Sequence, residues 1–437
     1  MINVKWSQYN VKIEEQENLV TVFNTVTGSI ISLPKDIFEK ITKNSDFLSK
    51  EEIQQFLALG ILVNEDLNEY NKIKSQVRFE INNALSESAN YVIAPTMRCN
   101  LHCFYCFEKS HILPEQDMNE ETVNNVVNFI LSNVTNNMKH LNINWFGGEP
   151  LLRSDVVLSI GEKIKEKLPK HIDFTSRIIT NGVLLNKELC EQLVDKCNLK
   201  HAQITLDGFE QNYCKAKGAK PKDYQDVIKN ICDCAELIEI LVCFNTTKNN
   251  IDDFYELSKY LLIDRHLANK IRLRLVRVKN YNGASFEKIC YDSCEFSRIR
   301  DDFTYKIQQI DSSHYDNESN FGRVRPCGVM RFNAGAIDPQ GFLYKCEHLL
   351  GQPENKQGDV ATGWYYNEDY MNNSLAIEDA RCGTCPFYPR CGYAICVGLH
   401  GLVGNDKVCK FYDLQMKRAK DHVTKFIKEV NKNDKSN

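Results

Sequence analysis

The chain has 437 residues, of which 43% are hydrophobic, and its formal net charge is −4 at pH 7. This length predicts two or three domains with a sizeable core, and the slightly acidic balance argues against a general nucleic-acid-binding surface. No apolar run approaches the ~20 residues needed to cross a bilayer. Residues Met1–Trp6 lack the charged and apolar regions of a signal peptide, so a cytoplasmic protein without a membrane partner is expected.

Cysteine is the unusual feature of the composition. The chain has 18 cysteines, and five of them lie between Cys382 and Cys409. Disulfides are not expected in the cytosol, where thiols are kept reduced, and clustered thiols in that compartment favour metal binding. The cysteines in helical-looking segments are instead expected to be small buried residues without chemistry: Cys190, Cys197, Cys232 and Cys234.

Residues 1–80 are predicted to form a small α+β domain. Three short strands are expected, at Val11–Glu14, Leu19–Asn24 and Ser29–Leu33. Pro34 is expected to open a helix at its first position, Ser49 and Glu52 form the pattern of a capping box, and Ile61–Val63 is predicted to be a return strand. This order resembles the winged-helix-like domains that bind leader peptides, which implies a peptide added as a strand at the sheet edge. A structural cap without a ligand is the alternative.

From Tyr91 to Val278, apolar strands alternate with amphipathic helices. Six strands are predicted, at Tyr91–Ala94, Leu141–Phe146, Phe174–Ile179, His201–Leu206, Ile240–Asn245 and Ile271–Val276. Such repetition predicts parallel strands joined by right-handed crossovers. Three segments each follow a predicted strand: Gly147–Pro150, Thr180–Gly182 and Asp207–Gly208. In barrels built from parallel strands and helices, the catalytic residues lie at the carboxyl ends of the strands.

Three cysteines follow the first of these strands, with the spacing Cys99-x3-Cys103-x2-Cys106. Thiolates bind soft metals, and three of them on one tight loop can hold three irons of a cubane and leave the fourth iron open. Half of a structural zinc site is the alternative, although no second pair of cysteines follows until Cys190. The triplet, with Tyr105 before its last cysteine, resembles the signature of the radical S-adenosylmethionine (SAM) enzymes. That resemblance implies a 4Fe–4S cluster, bound SAM and a partial (β/α)6 barrel.

The same resemblance assigns SAM-binding residues. Gly147-Gly148-Glu149-Pro150 is similar to the family's glycine-rich motif, whose backbone contacts the SAM amino group. By position, Tyr105 is expected near the adenine, and Thr180 and Asn181 are candidates for contacts to the ribose or the carboxylate. Asp207 and Asn245 either face the cavity or are structural. Many relatives follow this Asp-Gly with His-Asp and then an arginine, a pattern absent from residues 209–217 here, so any contact made there is in doubt.

The C-terminal cysteines resemble those of the SPASM domain, the auxiliary-cluster extension of peptide-modifying radical SAM enzymes. They are Cys327, Cys346, Cys382, Cys385, Cys391, Cys396 and Cys409. The resemblance implies one 4Fe–4S cluster on Cys382, Cys385, Cys391 and Cys409, and a second on Cys327, Cys346 and Cys396. The fourth ligand of the second cluster stays open between Cys290, Cys294, a substrate thiolate and solvent. Four residues separate Cys391 from Cys396 where the family has three, and zinc remains an alternative metal.

Glu347 directly follows Cys346. In the related anaerobic sulfatase-maturating enzymes an acid at this position removes the substrate's proton, so the resemblance makes Glu347 a candidate general base. An exposed acid beside a metal loop is the alternative. Past Cys409, residues 411–430 are predicted to form an amphipathic closing helix.

The predicted organisation is an α/β chain of five segments. These are a leader-recognition domain at 1–80, a radical SAM core at 88–285, a bridging region at 286–326, a SPASM domain at 327–412 and a helix with its tail at 413–437. The resemblance implies an enzyme that cross-links a ribosomally made precursor peptide through a thioether or carbon–carbon bond, with flavodoxin or ferredoxin as electron donor. The alternatives are sulfatase maturation, epimerisation and, from a different class, a zinc-binding interaction module.

Overall fold

A computed structural model describes residues 3–15, 18–76, 87–106, 108, 116–278, 288–313, 331, 333–367, 382–391 and 412–433. These residues belong to two compact units, one drawn from 1–82 and 375–437 and the other from 83–317 and 328–374. The first unit joins residues that the sequence assigns to an N-terminal domain, a cysteine-rich segment and a closing helix. None of the described helices combines the length and the apolar composition that a bilayer crossing demands.

The first unit contains two small antiparallel sheets and three helices with the following bounds. Its elements are β1 (Val4–Trp6), β2 (Asn10–Glu15), β3 (Leu19–Asn24), β4 (Ile30–Pro34), α1 (Lys35–Ile41), α2 (Lys50–Ala58), β5 (Leu62–Asn64) and, near the end of the chain, a long helix (Tyr412–Asn433). One sheet has the order β2-β3-β4, and β1 pairs with β5. Residues 69–76 are also helical.

The predicted helix start at Ser49 is present in this unit. Ser49 Oγ accepts a hydrogen bond from Glu52 N at 3.2 Å, and the Glu52 carboxylate accepts one from Ser49 N at 2.8 Å, which completes the capping box. The prediction that Pro34 is the first residue of a helix is wrong. Pro34 ends strand β4 and precedes helix α1, with φ −53° and ψ 140°, because its pairing with Leu19 in the sheet holds it extended.

The core of the first unit is built from both ends of the chain. Val11 and Phe23 pack in one apolar cluster with Phe387 and with Val423 of the long C-terminal helix. The guanidinium of Arg390 lies 5.2 Å from the centre of the Phe23 ring. Segment 382–391 therefore packs on the N-terminal strands and is not an isolated cysteine loop.

The second unit is an α/β layer structure. In chain order its elements are β6 (Ser88–Ile93), α3 (Glu120–Ser132), β7 (His140–Trp145), α4 (Ser154–Lys167), β8 (Asp173–Thr180), α5 (Lys187–Cys197), β9 (Leu199–Thr205), α6 (Glu210–Lys217), α7 (Pro221–Cys234), β10 (Glu239–Thr246), α8 (Ile251–Lys259), β11 (Ile271–Arg277), α9 (Ser293–Gln308), β12 (Ala334–Ile337), β13 (Phe342–Tyr344), β14 (Gly358–Asp359) and β15 (Gly363–Trp364). The long helix of the first unit is called α10 below.

Strands β6 to β11 lie side by side in chain order and all pair in parallel. Strand β12 adds in parallel to β6, and β13 to β15 extend that side as antiparallel strands. The predicted α/β class with six consecutive parallel strands is confirmed. Helix α6 was not predicted; it ends at Gly218, whose φ of +58° is the left-handed value that commonly closes a helix.

Side chains alternate along each parallel strand. Residues such as Ile143, Ile178 and Leu273 face helices α3 to α8 and form one large apolar core with them. The alternate residues face away from these helices, and we call this side the open face. Because successive side chains point to opposite sides of a sheet, the strands fix which residues line the open face.

Candidate active site

The predicted cysteine triplet lies on the loop that leaves the carboxyl end of β6. Cys99 is exposed, Cys103 and Cys106 are half-buried, and none of the described cysteines forms a disulfide. The start of the loop is fixed by an acid that the sequence did not indicate. Asp117 accepts a hydrogen bond from Arg98 Nε at 2.9 Å, so the residue before Cys99 is anchored by a charged pair.

The middle of the loop is held by helix α6. His102 N donates to Lys217 O at 2.7 Å, and Phe104 N donates to Ala216 O at 3.0 Å. These carbonyls belong to the last turn of the helix, where backbone acceptors have no partner within the helix. Helix α6 therefore positions the backbone between the first and the last cysteine.

The Gly147-Gly148 pair is required by direct backbone contact with the cysteine loop. Gly148 N donates to Thr96 O at 3.2 Å, and Glu149 N donates to Arg98 O at 2.8 Å. A Cβ at Gly147 would lie 2.3 Å from Thr96 O, and one at Gly148 would lie 2.3 Å from Arg98 O. Gly147 also has φ +112°, which L side chains rarely adopt. No larger residue fits this contact.

Glu149 joins the glycine loop to the end of strand β8. Its side chain is fully buried and accepts hydrogen bonds from Thr180 Oγ1 at 2.7 Å, Asn181 N at 2.8 Å and Leu151 N at 3.1 Å. Burial raises the pKa of Glu149, and these three donors oppose that rise. Pro150, which is also buried, follows directly as the first residue of a 3₁₀ turn.

Asn181 connects the hydrogen bonds of Glu149 to the cysteine loop. Its Nδ2 donates to Asn100 Oδ1 at 2.7 Å and lies 3.9 Å from Cys99 Sγ. The residues predicted at the ends of β6, β7 and β8 are thus brought together by hydrogen bonds, as the strand-end placement required.

A second buried network lies where β9 and β10 end. Tyr105 Oη is hydrogen-bonded to the Asp207 carboxylate, and it accepts from Asn245 Nδ2 at 3.0 Å. The ammonium of Lys217 lies 3.5 Å from Asp207 Oδ2 and donates to Thr205 Oγ1 at 2.6 Å. Asp207 and Lys217 are 0% and 1% exposed, so this ion pair is screened from water.

This buried network shifts the pKa values of Lys217 and Tyr105. Burial, the largest single influence, lowers the pKa of Lys217, but Asp207, Cys103 and Cys99 together raise it by more, so the net shift is upward and the ammonium stays charged. Burial raises the pKa of Tyr105, and the charge of Asp207 raises it further, so the phenol stays protonated. Lys217 was not predicted from the sequence as a site residue. The signal that could have identified it is its charge, because it is a cation at the end of the stretch in which relatives carry an arginine.

The segment after β13 lies beside the cysteine loop. Leu349 packs in one apolar cluster with Ala94 and Met97, which flank the start of that loop. Just before it, Cys346 is half-buried, and its Sγ is 3.7 Å from Glu347 Oε2. Glu347 is thus the neighbour of a cysteine on the same structural unit as the triplet.

The other predicted auxiliary ligands belong to the first unit or are not described. Cys382 and Cys385 share a turn, in which Cys385 N donates to Cys382 O at 3.2 Å. Cys391 is buried, with Gln415 Nε2 3.8 Å from its Sγ. Three predicted ligands lie outside the described residues: Cys327, Cys396 and Cys409.

The family model of the radical SAM superfamily matches residues 93–261. The chain carries a radical SAM domain. Members of that superfamily use a 4Fe–4S cluster and SAM. The match covers the cysteine loop, the glycine loop and the strand ends that carry Thr180, Asp207 and Asn245.

Relatives of known sequence are distant. The radical SAM cyclopropyl synthase TigE of Paramaledivibacter caminithermalis is 24% identical over 43% of this chain and 46% of its own length. This chain therefore spans about half of that relative. A probable GTP 3′,8-cyclase of Archaeoglobus fulgidus is 28% identical over 61% of this chain and 83% of its own length.

Two solved structures share the fold. Native anSMEcpe with bound AdoMet and a peptide has a TM-score of 0.61 at 16% identity, over 79% of this chain and 99% of that one. SuiB of Streptococcus suis bound to the precursor peptide SuiA has a TM-score of 0.52 at 18% identity, over 93% of this chain and 100% of that one. At these identities the likeness is one of fold.

The donor set suits an iron–sulfur cluster with SAM. Within the described ranges no three acidic, histidine or cysteine side chains converge on a point that one metal ion could occupy. A cubane does not need such convergence, because each thiolate binds a different iron. Next to the triplet, Glu108 Oε1 is buried without a hydrogen-bond partner and is an acceptor for a donor such as an ammonium group.

We predict that Gly148→Ala separates the two loops. Its Cβ would meet a backbone oxygen, which cannot move without moving the cysteines, so we expect a loss of about 2–3 kcal/mol in the free energy of unfolding, together with lower iron content. Urea unfolding and iron analysis check this. Gly363→Ala is the control that adds backbone strain without a contact: Gly363 has φ +87°, a strain that Gly148 does not have, but a Cβ there would have no other atom within 4 Å. Equal iron content in the two variants would contradict the prediction.

Lys217→Met should destabilise the protein by about 3–5 kcal/mol, because it leaves the Asp207 carboxylate buried without a cation. Adding Asp207→Asn should recover part of this loss, since the unpaired charge is then removed. A double-mutant cycle by urea unfolding measures the coupling. Strictly additive losses would show that the two side chains do not act as a pair.

Proposed function

We propose that Cys99, Cys103 and Cys106 hold the 4Fe–4S cluster of this enzyme and that SAM binds beside it to modify a peptide. The observation that carries the proposal is the seating of the cysteine loop on Gly147-Gly148 at the carboxyl ends of the parallel strands. When bound, the cluster and SAM would supply a 5′-deoxyadenosyl radical that takes a hydrogen atom from a substrate carbon. The chain's own residues supply position, charge and exclusion of water.

Each part of the site has a proposed role. The backbone of Gly147-Gly148-Glu149-Pro150 would face the SAM amino group, with Glu108 Oε1 as a further acceptor. Asn181, held 3.9 Å from Cys99 Sγ, would present its amide to the polar part of SAM, and Thr180 would keep Glu149 in place. Tyr105 would sit near the adenine with its ring fixed by Asp207.

A peptide substrate is supported by the structural neighbours. SuiB is known with a precursor peptide and anSMEcpe with a peptide, and the likeness to SuiB extends over 93% of this chain against 79% for anSMEcpe. The larger coverage favours a precursor peptide, whose leader would bind the first unit. Among the described strands, β4 pairs with β3 alone, so its other edge could accept an added strand.

The proposed product is a cross-link, either a thioether or a carbon–carbon bond. Closing such a bond after hydrogen abstraction removes one more electron, and auxiliary clusters would receive it. One would be held by Cys382, Cys385, Cys391 and Cys409, and the other by Cys327, Cys346 and Cys396. Glu347, whose carboxylate lies beside Cys346, would take the proton released in this step.

Formylglycine formation on a sulfatase is the second candidate, because the TM-score to anSMEcpe is the higher of the two. Nucleotide cyclisation is a third, given the similarity to GTP 3′,8-cyclases. Mass spectrometry after anaerobic incubation separates the three. A precursor peptide that loses two hydrogen atoms supports cross-linking, a sulfatase peptide converted to its aldehyde supports the second candidate, and consumption of GTP supports the third.

Two cysteine variants should have different defects. Cys99→Ala removes a ligand of the SAM-binding cluster and should abolish formation of 5′-deoxyadenosine from SAM and dithionite. Cys382→Ala should leave that cleavage near the wild-type rate and block formation of the cross-linked peptide, with iron falling from about twelve to about eight atoms per chain. Liquid chromatography of the nucleoside and the peptide follows both steps. Equal loss of both steps in Cys382→Ala would contradict separate roles.

A further inference from the structure

Helix α10 carries a buried amide on its apolar side. Gln415 is 1% exposed, and Ala419 and Val423 follow it four and eight residues along the helix. Residues at this spacing share one face of a helix, and the latter two pack in an apolar cluster with Phe23 and Phe387. Glutamine is mostly an exposed residue, and a buried amide needs a hydrogen-bond partner. Gln415 on this face therefore calls for a polar partner.

The partner of this amide is a cysteine sulfur. Gln415 Nε2 lies 3.8 Å from Cys391 Sγ, whereas Gln415 Oε1 is buried without a hydrogen-bond partner among the described residues. Sulfur is a larger acceptor than oxygen, so an N–H···S contact is longer than an N–H···O bond. An unpaired buried carbonyl oxygen is costly. The amide is therefore buried at a cost in stability, and what it offers to the sulfur is its N–H groups.

The chemistry of Cys391 decides how strong this contact is. The residue is 7% exposed, and neither it nor Cys382 and Cys385 of the same segment forms a disulfide. A neutral thiol accepts hydrogen bonds weakly, whereas a metal-bound thiolate carries negative charge and accepts them strongly. Three free thiols with a buried N–H donor beside one of them suit a thiolate-bound iron–sulfur cluster. Cys409, the fourth predicted ligand, lies outside the described residues.

We propose that the Gln415 amide raises the reduction potential of the auxiliary cluster bound by Cys391. Reduction adds one electron to a cluster, and part of the added negative charge falls on the sulfur ligands. A hydrogen bond to a ligand sulfur therefore stabilises the reduced state more than the oxidised state. Gln415 acts through Cys391, as a positioning residue rather than a catalytic one.

A higher potential suits the electron transfer that the proposed product requires. After hydrogen abstraction the substrate radical loses one electron as the cross-link closes, the oxidised auxiliary cluster gains that electron, and the proton goes to Glu347. An N–H···S bond that favours the reduced cluster makes this transfer more favourable. The inference rests on the proposed function, because it assumes an auxiliary cluster on Cys382, Cys385, Cys391 and Cys409.

The test is a redox titration of the reconstituted full-length enzyme with titanium(III) citrate, followed by electron paramagnetic resonance. Cys391→Ala identifies the signal of the auxiliary cluster, since that signal should be lost in this variant. Gln415→Met has a side chain of similar length without an N–H donor. It should lower the equilibrium constant for reduction of this cluster about tenfold, which is about 59 mV for a one-electron couple. The signal that SAM shifts should keep its potential, because its cluster has other ligands.

Two further variants separate the hydrogen bond from packing. Gln415→Leu also lacks the donor and should lower the potential in the same way as Gln415→Met. Met416→Leu is the matched control, because Met416 is the next residue of α10, is half-buried against the same apolar cluster and has no N–H in its side chain. It should leave the potential of the auxiliary cluster unchanged.

Unchanged potentials in both Gln415 variants, or an equal fall in Met416→Leu, overturn this inference and leave the proposed function standing. Loss of the signal in both Gln415 variants assigns Gln415 to cluster binding instead and also overturns it. A wild-type protein with no signal that depends on Cys391, whether the site holds zinc or no metal, overturns the auxiliary cluster of the proposed function and this inference with it. A fall confined to the Cys391-dependent signal supports both.

Discussion

The close approach of two backbones is the contact on which the rest of the site depends. The loop that carries the cysteines lies so near Gly147 and Gly148 that a single added carbon at either position would be 2.3 Å from a carbonyl oxygen. Two hydrogen bonds join the loops, and Glu149 continues the connection to the end of β8. The glycines therefore fix the position of the cysteine loop, in addition to any contact that they make with SAM.

A buried ion pair also positions the residues around the cysteine loop. Lys217 and Asp207 form an ion pair in a place that water does not reach, and the pair fixes the phenol of Tyr105. The backbone of the same lysine holds the middle of the cysteine loop. One residue thus acts on the loop through its carbonyl and on the aromatic ring through its ammonium. Replacing Lys217 should disturb both the cysteine loop and the position of Tyr105, because the two contacts come from the same end of helix α6.

The parts of the fold that could be predicted are those coded by local patterns. The strands at the centre of the second unit match their predicted positions to within about three residues, since alternating apolar side chains and glycine-rich ends are short-range signals. Glu149 and Thr180 were recognised at strand ends, and the sheet brings those ends together. Lys217 was missed because helix α6 has little apolar periodicity and departs from the pattern of relatives.

Long-range contacts could not be predicted in the same way. Phe23 and Phe387 share a core although they are far apart in sequence, and no local pattern links them. Which residues share the open face is likewise visible only from the strand register.

The most direct test of the central claim is electron paramagnetic resonance of the dithionite-reduced, reconstituted enzyme before and after saturation with SAM. We predict that the signal of one cluster shifts on addition of SAM and that this component is missing when Cys99, Cys103 and Cys106 are all alanine. A spectrum that SAM leaves unchanged, or a shift that survives in the triple variant, would contradict it.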